Sequence, residues 1–159
     1  MKKIILALVL ISSLGACKQN ASNKTLEANK NFAALTELYF QEGLKQNPLQ
    51  ATLIGDDRYN DLLPNDGSVE FREELKKFNQ RFLDSLKNYD RASLSANDQI
   101  SYDVLKDELE INREGYQFHF EYLPFSQLNS FPLIFAQFGS GTSGQPFKKV
   151  KDYDDWLKR

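Results

Sequence analysis

The amino-acid sequence predicts an all-α fold: an antiparallel helical hairpin, several short helices and a loop rich in proline, glycine and aromatic residues. Two long segments carry apolar residues at three- and four-residue spacing, and a serine suited to capping a helix precedes each of them. No pair of partner strands is evident in the pattern. The chain is 41% hydrophobic and 13% aromatic, which is sufficient for one globular core.

The first two helices are predicted on either side of Asn47-Pro48. The apolar positions of the first are Phe32, Leu35, Leu38, Tyr39 and Leu44. This helix should end before Asn47, because a residue that precedes proline disfavours the helical conformation. Pro48 suits the first position of a second, short helix that Gly55 can close. A loop should follow over residues 56–67, which include aspartate-rich turns and Pro64.

The third and fourth helices should form the hairpin. Ser68 is a predicted N-cap, and Ser95 followed by Asp98 resembles a capping box. The apolar positions of the third helix are Phe71, Leu75, Phe78, Phe82, Leu86 and Tyr89. Those of the fourth are Ile100, Val104, Leu105, Leu109 and Ile111. Because only a few residues join the two helices, we expect them to pack antiparallel.

The remainder of the chain is aromatic and less regular. Residues 116–122 alternate apolar with polar side chains, so they fit a strand as well as a continued helix, which we favour. Prolines and glycines from Leu123 onward exclude a long regular element. We expect the aromatic side chains from Tyr122 to Phe138 to pack in a core or an interface rather than to line a pocket. A last amphipathic helix begins at Asp152, and its abrupt stop at Arg159 is interpreted as truncation.

The N-terminus predicts export. Lys2 and Lys3 precede an apolar run over residues 4–11 and then small residues, as in a signal peptide. Leu14-Gly15-Ala16-Cys17 resembles a bacterial lipobox, which implies diacylglyceryl transfer to the Cys17 thiol and cleavage after Ala16. An ordinary signal peptide that contains a cysteine by chance is the alternative. We therefore predict a signal peptide at 1–16, a lipidated flexible tether at 17–30 and a helical portion of a larger domain at 31–159.

Lipid on Cys17 would anchor the protein to a membrane. Two or three acyl chains hold a protein stably, whereas the apolar run is much shorter than the roughly 20 residues of a membrane-spanning helix. We expect an exported protein, at the outer membrane rather than the inner one, because Lys18 and not aspartate follows the cysteine. Cys17 is also the single cysteine, so no internal disulfide is expected.

The side chains that could carry chemistry form no recognisable motif. His119 is the single histidine and, with Cys17 committed to lipid, no zinc site or Cys-His nucleophile is expected; we place it at a partly buried aromatic edge. The carboxylate pairs, typical of solvated surfaces, are Asp56 with Asp57, Glu73 with Glu74, Asp103 with Asp107, and Asp152 with Asp154 and Asp155. The last group suits the start of a helix better than a calcium loop.

Two further ligand classes are also unexpected. Gly139, Gly141 and Gly144 have the spacing of a phosphate loop, but Gln145-Pro146 replaces its lysine and hydroxyl residues, so a mobile surface loop is predicted. The formal net charge is −2 and no basic block occurs, which argues against a nucleic-acid partner. We predict no catalytic, cofactor-binding or metal residue in this chain.

The order of several short motifs resembles the N-terminal part of a bacterial family, domain of unknown function 885. The motifs are Pro48-x-x-Ala51-Thr52-x-x-Gly55, the loop from Tyr59 to Pro64, Leu94-Ser95-x-x-Asp98-Gln99, Pro124 with Gln127, and Lys151-Asp152-Tyr153-x-x-Trp156-Leu157-x-Arg159. The resemblance implies a mostly helical, longer, often lipid-anchored protein that is similar to zinc peptidases. The histidine- and glutamate-containing motif of those relatives is absent here, so no catalytic residue is carried over.

Three hypotheses follow. The first is the N-terminal part of a lipid-anchored, peptidase-like protein that is inactive alone, with missing C-terminal sequence as its packing partner. Zinc and a peptide substrate would then belong to the full-length protein. The second is a small complete lipoprotein that acts as a binding or interaction module of the cell envelope. The third is a decaying gene product without function.

Overall fold

The structure, a computed structural model, describes residues 27–123, 125–127 and 130–159. Its helices are α1 over residues 27–46, α2 (Pro48–Leu53), α3 (Val69–Leu86), α4 (Ala96–Gly115), α5 (Phe131–Gly139) and α6 (Val150–Lys158). Three 3-10 helices are Asp57–Tyr59, Arg91–Ser93 and Phe120–Tyr122. The described residues contain no strand, only an isolated bridge between Phe125 and Ser130, so the predicted all-α class is confirmed.

The helix ends follow the predicted capping residues. The Ser68 hydroxyl accepts a hydrogen bond from the Phe71 backbone N–H at 3.1 Å, and the Ser95 hydroxyl accepts one from Asp98 at 3.2 Å. Pro48 is the first residue of α2, and Gly55, at a φ of 86°, follows its C-cap. A positive φ is open to glycine at little steric cost, which explains this residue at the end of α2.

The apolar core lies between α1, α3 and α4. We call it the three-helix core: Phe32, Phe78, Phe82, Leu83, Leu86, Leu94, Leu105 and Leu109. Tyr39 of α1 stacks on Phe78 and meets Phe82 edge-on, with ring centroids 5.5 Å and 5.1 Å apart. At the opposite end of α1, Asn29 Oδ1 accepts a hydrogen bond from the Ser95 backbone N–H at 3.0 Å. Helix α1 therefore runs parallel to α4 and covers the α3–α4 hairpin.

The C-terminal helices pack through aromatic rings. Phe135 of α5 stacks on Trp156 of α6, with ring centroids 4.5 Å apart, and Phe147 meets Trp156 edge-on at 6.1 Å. A Cβ atom on Gly139 would lie 2.6 Å from Trp156 Cζ2, so the indole needs a glycine at this position. Gly139, one of the glycines predicted to lie in a mobile surface loop, is thus part of the packing between α5 and α6.

Several boundaries differ from the sequence prediction, and the last helix, α6, begins at Val150 rather than at Asp152. Residues 27–30, assigned to the tether, are helical because Ala28 packs on the core and Asn29 accepts a hydrogen bond from Ser95, the N-cap of α4. Helix α4 ends at Gly115 rather than continuing, and a 3-10 turn follows over Phe120–Tyr122. Nine residues of the predicted irregular segment form α5, in which Pro132 lies in the first turn, where proline needs no hydrogen-bond donor.

None of the helices described here has both the length and the apolar character needed to cross a bilayer.

Candidate functional site

The predicted lipidation and cleavage residues, Cys17 and Ala16, lie outside the described residues. His119 is described, and its ring lies parallel to Tyr122 with centroids 5.1 Å apart. Its Nδ1 atom is 3.0 Å from Glu121 Oε1, and the side chain is largely exposed. The aromatic neighbour agrees with the prediction, but the predicted partial burial of His119 was wrong, because 64% of its side chain is exposed.

The predicted carboxylate pairs do not converge on one site. Asp56 binds Arg58, and the hydrogen bond from that guanidinium holds the Asp56 pKa below its usual value. Asp103 binds Arg91, which lowers the pKa of Asp103 by the same cause. Within the described ranges, no three histidine, cysteine or acidic residues are grouped so that they could hold a metal ion. Asp56 and Asp103 are therefore members of surface ion pairs, each with a neighbouring arginine.

A polar cluster around Arg159 was not predicted. Its guanidinium donates four hydrogen bonds of 2.8–3.0 Å, to the Thr52 hydroxyl, the Gln145 side-chain oxygen and the carbonyls of Tyr59 and Leu62. We call these residues, together with Asn60, the Arg159 cluster. The Thr52 hydroxyl in turn lies 2.7 Å from Asn60 Oδ1. One side chain thereby joins α2, the loop after it, the α5–α6 connection and the end of α6.

The acceptors of Arg159 are all neutral. Burial lowers the pKa of Arg159, and the negative charges of Asp61 and Asp155 oppose that shift. Four N–H groups of the guanidinium already have acceptors at hydrogen-bond distance, and an arginine has only five. The arrangement therefore holds segments together and offers little to an incoming anion.

Asp152 fixes the start of α6 beside this cluster. Its carboxylate accepts hydrogen bonds from the backbone N–H groups of Lys148 at 2.9 Å and Lys149 at 3.1 Å. Burial raises the pKa of Asp152, but these two hydrogen bonds and the nearby lysine charges together bring it below its usual value. Asp152 therefore stabilises the start of a helix, as predicted for the acidic residues at this position.

Many large apolar side chains are exposed between the end of α4 and the first turn of α5. We call this region the aromatic segment, the described residues of 118–135. Its side chains that are 44–76% exposed are Phe118, Phe120, Tyr122, Leu123, Phe125, Phe131 and Leu133. Soluble proteins rarely leave so many large apolar side chains together in water unless the surface binds something. This observation excludes the predicted core packing for most of these residues and leaves the predicted interface.

The described residues form a helical protein that contains the Arg159 cluster and exposes the aromatic segment. Residues 48–159 match the family described as bacterial protein of unknown function (DUF885), and the chain belongs to this family. Neither a curated protein nor a solved structure matches it. The matched range begins at α2 and includes the Arg159 cluster, whereas α1 lies before it.

The motif order contained a signal for the cluster. Thr52, Tyr59 and Arg159 belong to three of the motifs that carry the family resemblance, and the structure brings their hydrogen-bonding atoms together. No local pattern links the three motifs, because Arg159 is 107 positions from Thr52 and 100 positions from Tyr59.

Proposed function

We propose that this chain is the N-terminal helical part of an exported, lipid-anchored member of its family. In this proposal the aromatic segment packs against a peptidase-like part of the same protein, which supplies zinc and the catalytic residues and acts on peptides. The chain by itself catalyses no reaction. The exposure of the aromatic segment carries the proposal, because a large apolar surface of this kind calls for a covering partner.

The lipid anchor is supported by the N-terminal sequence. The lysines, the apolar run and Leu14-Gly15-Ala16-Cys17 are what export and lipidation require, and several acyl chains on one residue anchor a protein stably. Outer-membrane sorting rests on Lys18 beside the lipidated cysteine.

The position of the aromatic segment fits attachment to a membrane at the other end of the chain. The N-terminal end of α1 lies beside Ser95, at the start of α4, whereas the aromatic segment follows the end of α4. Twenty helical residues separate these ends by about 30 Å. An anchor that precedes α1 would therefore be attached at the opposite end of α4 from the aromatic segment, which leaves that segment accessible to a further protein domain.

A second candidate is a complete envelope-interaction module. The three-helix core favours it, because that core is formed entirely by α1, α3, α4 and Leu94 and is already covered. In this case the aromatic segment would bind a separate envelope protein. The two proposals share the lipid anchor and differ in what covers the aromatic segment.

Lipidation is tested by mass spectrometry of the full-length chain from the producing bacterium. We expect a chain that starts at Cys17 and carries the mass of a diacylglyceryl group and a further acyl chain, in the outer-membrane fraction. Cys17→Ser should remove the lipid, whereas Ser12→Ala, a control in the same signal, should not. A free thiol on uncleaved chain would refute the anchor.

The aromatic segment is tested by thiol labelling in isolated membranes. Phe120→Cys should react readily with a maleimide when the chain is made alone, and much more slowly when the coding sequence downstream of Arg159 is also expressed. Leu157→Cys, also highly exposed, is the matched control for accessibility. Equal labelling of Phe120→Cys in both strains, or no downstream sequence with a zinc motif in any frame, would favour the interaction module.

A further inference from the structure

A groove between α1 and α4 lies apart from the aromatic segment. It measures about 300 Å³ and is lined by Thr36, Tyr39, Ile100, Val104, Leu105 and Glu108. Its wall is fixed, because the Tyr39 ring packs on Phe78 and Phe82 while its hydroxyl donates a hydrogen bond to Glu108 Oε1 at 2.9 Å. We call it the α1–α4 groove.

An apolar stripe continues from the groove along α4. Ile100, Val104 and Ile111 are spaced by four and seven residues, so they lie on one face of the helix. All three are 60–67% exposed, and their span of eleven residues corresponds to about 16 Å, or three helical turns. A rigid apolar stripe of this length, beside a groove, suits a second helix laid along it.

The charge next to the stripe is acidic. Asp103 is paired with Arg91 and Glu110 with Lys106, but Asp107, Glu108 and Glu114 form no ion pair with any residue in the part of the chain that the structure describes. At 100° per residue, Asp107 and Glu114 lie on one side of the stripe and Glu108 on the other. A second copy of this chain would bring like charges together, whereas lysine or arginine would find partners on both sides.

We propose that the α1–α4 groove binds an amphipathic helix of a partner protein whose apolar stripe is flanked by lysine or arginine residues. This partner differs from the one proposed for the aromatic segment. Helix α1, which forms one wall of the groove, precedes the range matched by the family, and α4, which forms the other wall, lies within it.

The proposal is tested by fluorescence anisotropy with the full chain in nanodiscs of neutral lipid. The probe is a labelled helical peptide of about 15 residues, with leucine at positions 1, 5, 8 and 12, flanking lysines and alanine elsewhere. The matched peptide has glutamate in place of every lysine. Binding of the lysine peptide should be at least tenfold tighter than that of the glutamate peptide, and it should weaken as salt is raised.

Variants locate the binding surface. Val104→Asn should weaken binding of the lysine peptide about tenfold, whereas Val69→Asn, at 61% exposure on α3, should leave it unchanged. The double variant Asp107→Lys, Glu114→Lys should reverse the preference toward the glutamate peptide. Phe120→Ser, in the aromatic segment, should have no effect, so this result is independent of the proposed function.

Other outcomes would overturn the proposal. These are equal binding of both peptides, loss of binding in Phe120→Ser but not in Val104→Asn, or equal effects of Val104→Asn and Val69→Asn. Concentration-dependent self-association of the chain that Val104→Asn abolishes would show that the groove is instead an interface between two copies.

Discussion

The three-helix core and the Arg159 cluster bury side chains of opposite character. The core consists of apolar residues, of which Phe32, Phe82, Leu86 and Leu109 are almost fully buried. Around the Arg159 cluster lie four of the five buried polar side chains of the described residues: Thr52, Asn60, Gln145 and Asp152. Apolar contacts are non-directional, whereas each hydrogen bond needs a partner in one position.

The two regions should therefore fail in different ways. Removing an apolar side chain from the core loses its transfer free energy and leaves a cavity. Removing a donor from the Arg159 cluster leaves acceptors unpaired in a partly buried place, at sites that are far apart in sequence. Trp156, the single tryptophan, reports on the C-terminal region by fluorescence, while circular dichroism follows all helices.

The largest effect is expected for Phe82→Ala in the three-helix core. This ring contacts Tyr39 and Phe78 at centroid distances of 5.1 Å and 4.9 Å, and its loss should lower the free energy of unfolding by about 3–5 kcal/mol. Urea unfolding followed by circular dichroism measures it, with the exposed Leu157→Ala as control. If Phe82→Ala lowers the free energy of unfolding by less than the Arg159 cluster variants do, the Arg159 cluster contributes more to stability than the three-helix core.

Arg159→Lys should disrupt the Arg159 cluster while keeping the charge. One ammonium group cannot reach four acceptors on separate segments, so we expect a loss of about 2 kcal/mol. Hydrogen exchange should show faster exchange in α6 with α3 and α4 still protected, together with altered Trp156 fluorescence. Lys158→Arg, at a neighbouring exposed ion pair, is the control. Equal loss of protection in α3 would show that the regions unfold as one unit.

Thr52→Val should have a smaller effect in the same cluster. The hydroxyl accepts a hydrogen bond from Arg159 at 2.9 Å and donates to Asn60 at 2.7 Å, so its removal should cost about 1–2 kcal/mol at nearly constant volume. Thermal unfolding followed by Trp156 fluorescence measures the change. Thr52→Ser keeps the hydroxyl and should recover most of the stability; if it is no better than valine, packing rather than hydrogen bonding holds α2.

The smallest effect at neutral pH, about 1 kcal/mol, is expected for Tyr39→Phe, which removes a hydrogen bond to Glu108 at the edge of the three-helix core. Burial, and then the hydrogen bond to Glu108 and its charge, raise the pKa of Tyr39 well above its ordinary value near 10. The unfolded chain ionises first as pH rises above about 10, so the stability due to this group is present below that pH and lost above it.

Urea unfolding at about pH 8 and about pH 10.5 tests the Tyr39 prediction. The unsubstituted chain should lose more stability between these values than Tyr39→Phe does. Tyr122→Phe, at an exposed tyrosine, should behave as the unsubstituted chain. If Tyr39→Phe loses as much stability between these pH values as the unsubstituted chain does, the alkaline loss of stability comes from other groups.

Local sequence predicted the helices well and the irregular regions less well. The caps at Ser68 and Ser95 and the start of α2 at Pro48 are where they were expected, because capping depends on residues within one helical turn. Helix α5 was missed because Pro132 reads as a helix breaker unless it falls in the first turn, as it does here.

The exposure of the aromatic segment and of His119 also required the structure. A run such as residues 118–123 has the same hydrophobicity whether another element covers it or not, and only the structure shows that its large apolar side chains are exposed. Core packing is therefore excluded for Tyr122 and Phe125 but not for Phe138, which is buried, and an interface remains consistent with the exposed residues.

The all-α class, the caps and the apolar faces of α1, α3 and α4 follow from local sequence alone, since they depend on side chains three or four positions apart. The contacts of Arg159 with Thr52 and Leu62, at separations of 107 and 97 positions, follow from the packing of the folded chain. A hydrogen bond between distant segments forms only where packing has placed them, and no local pattern specifies which donor reaches which acceptor.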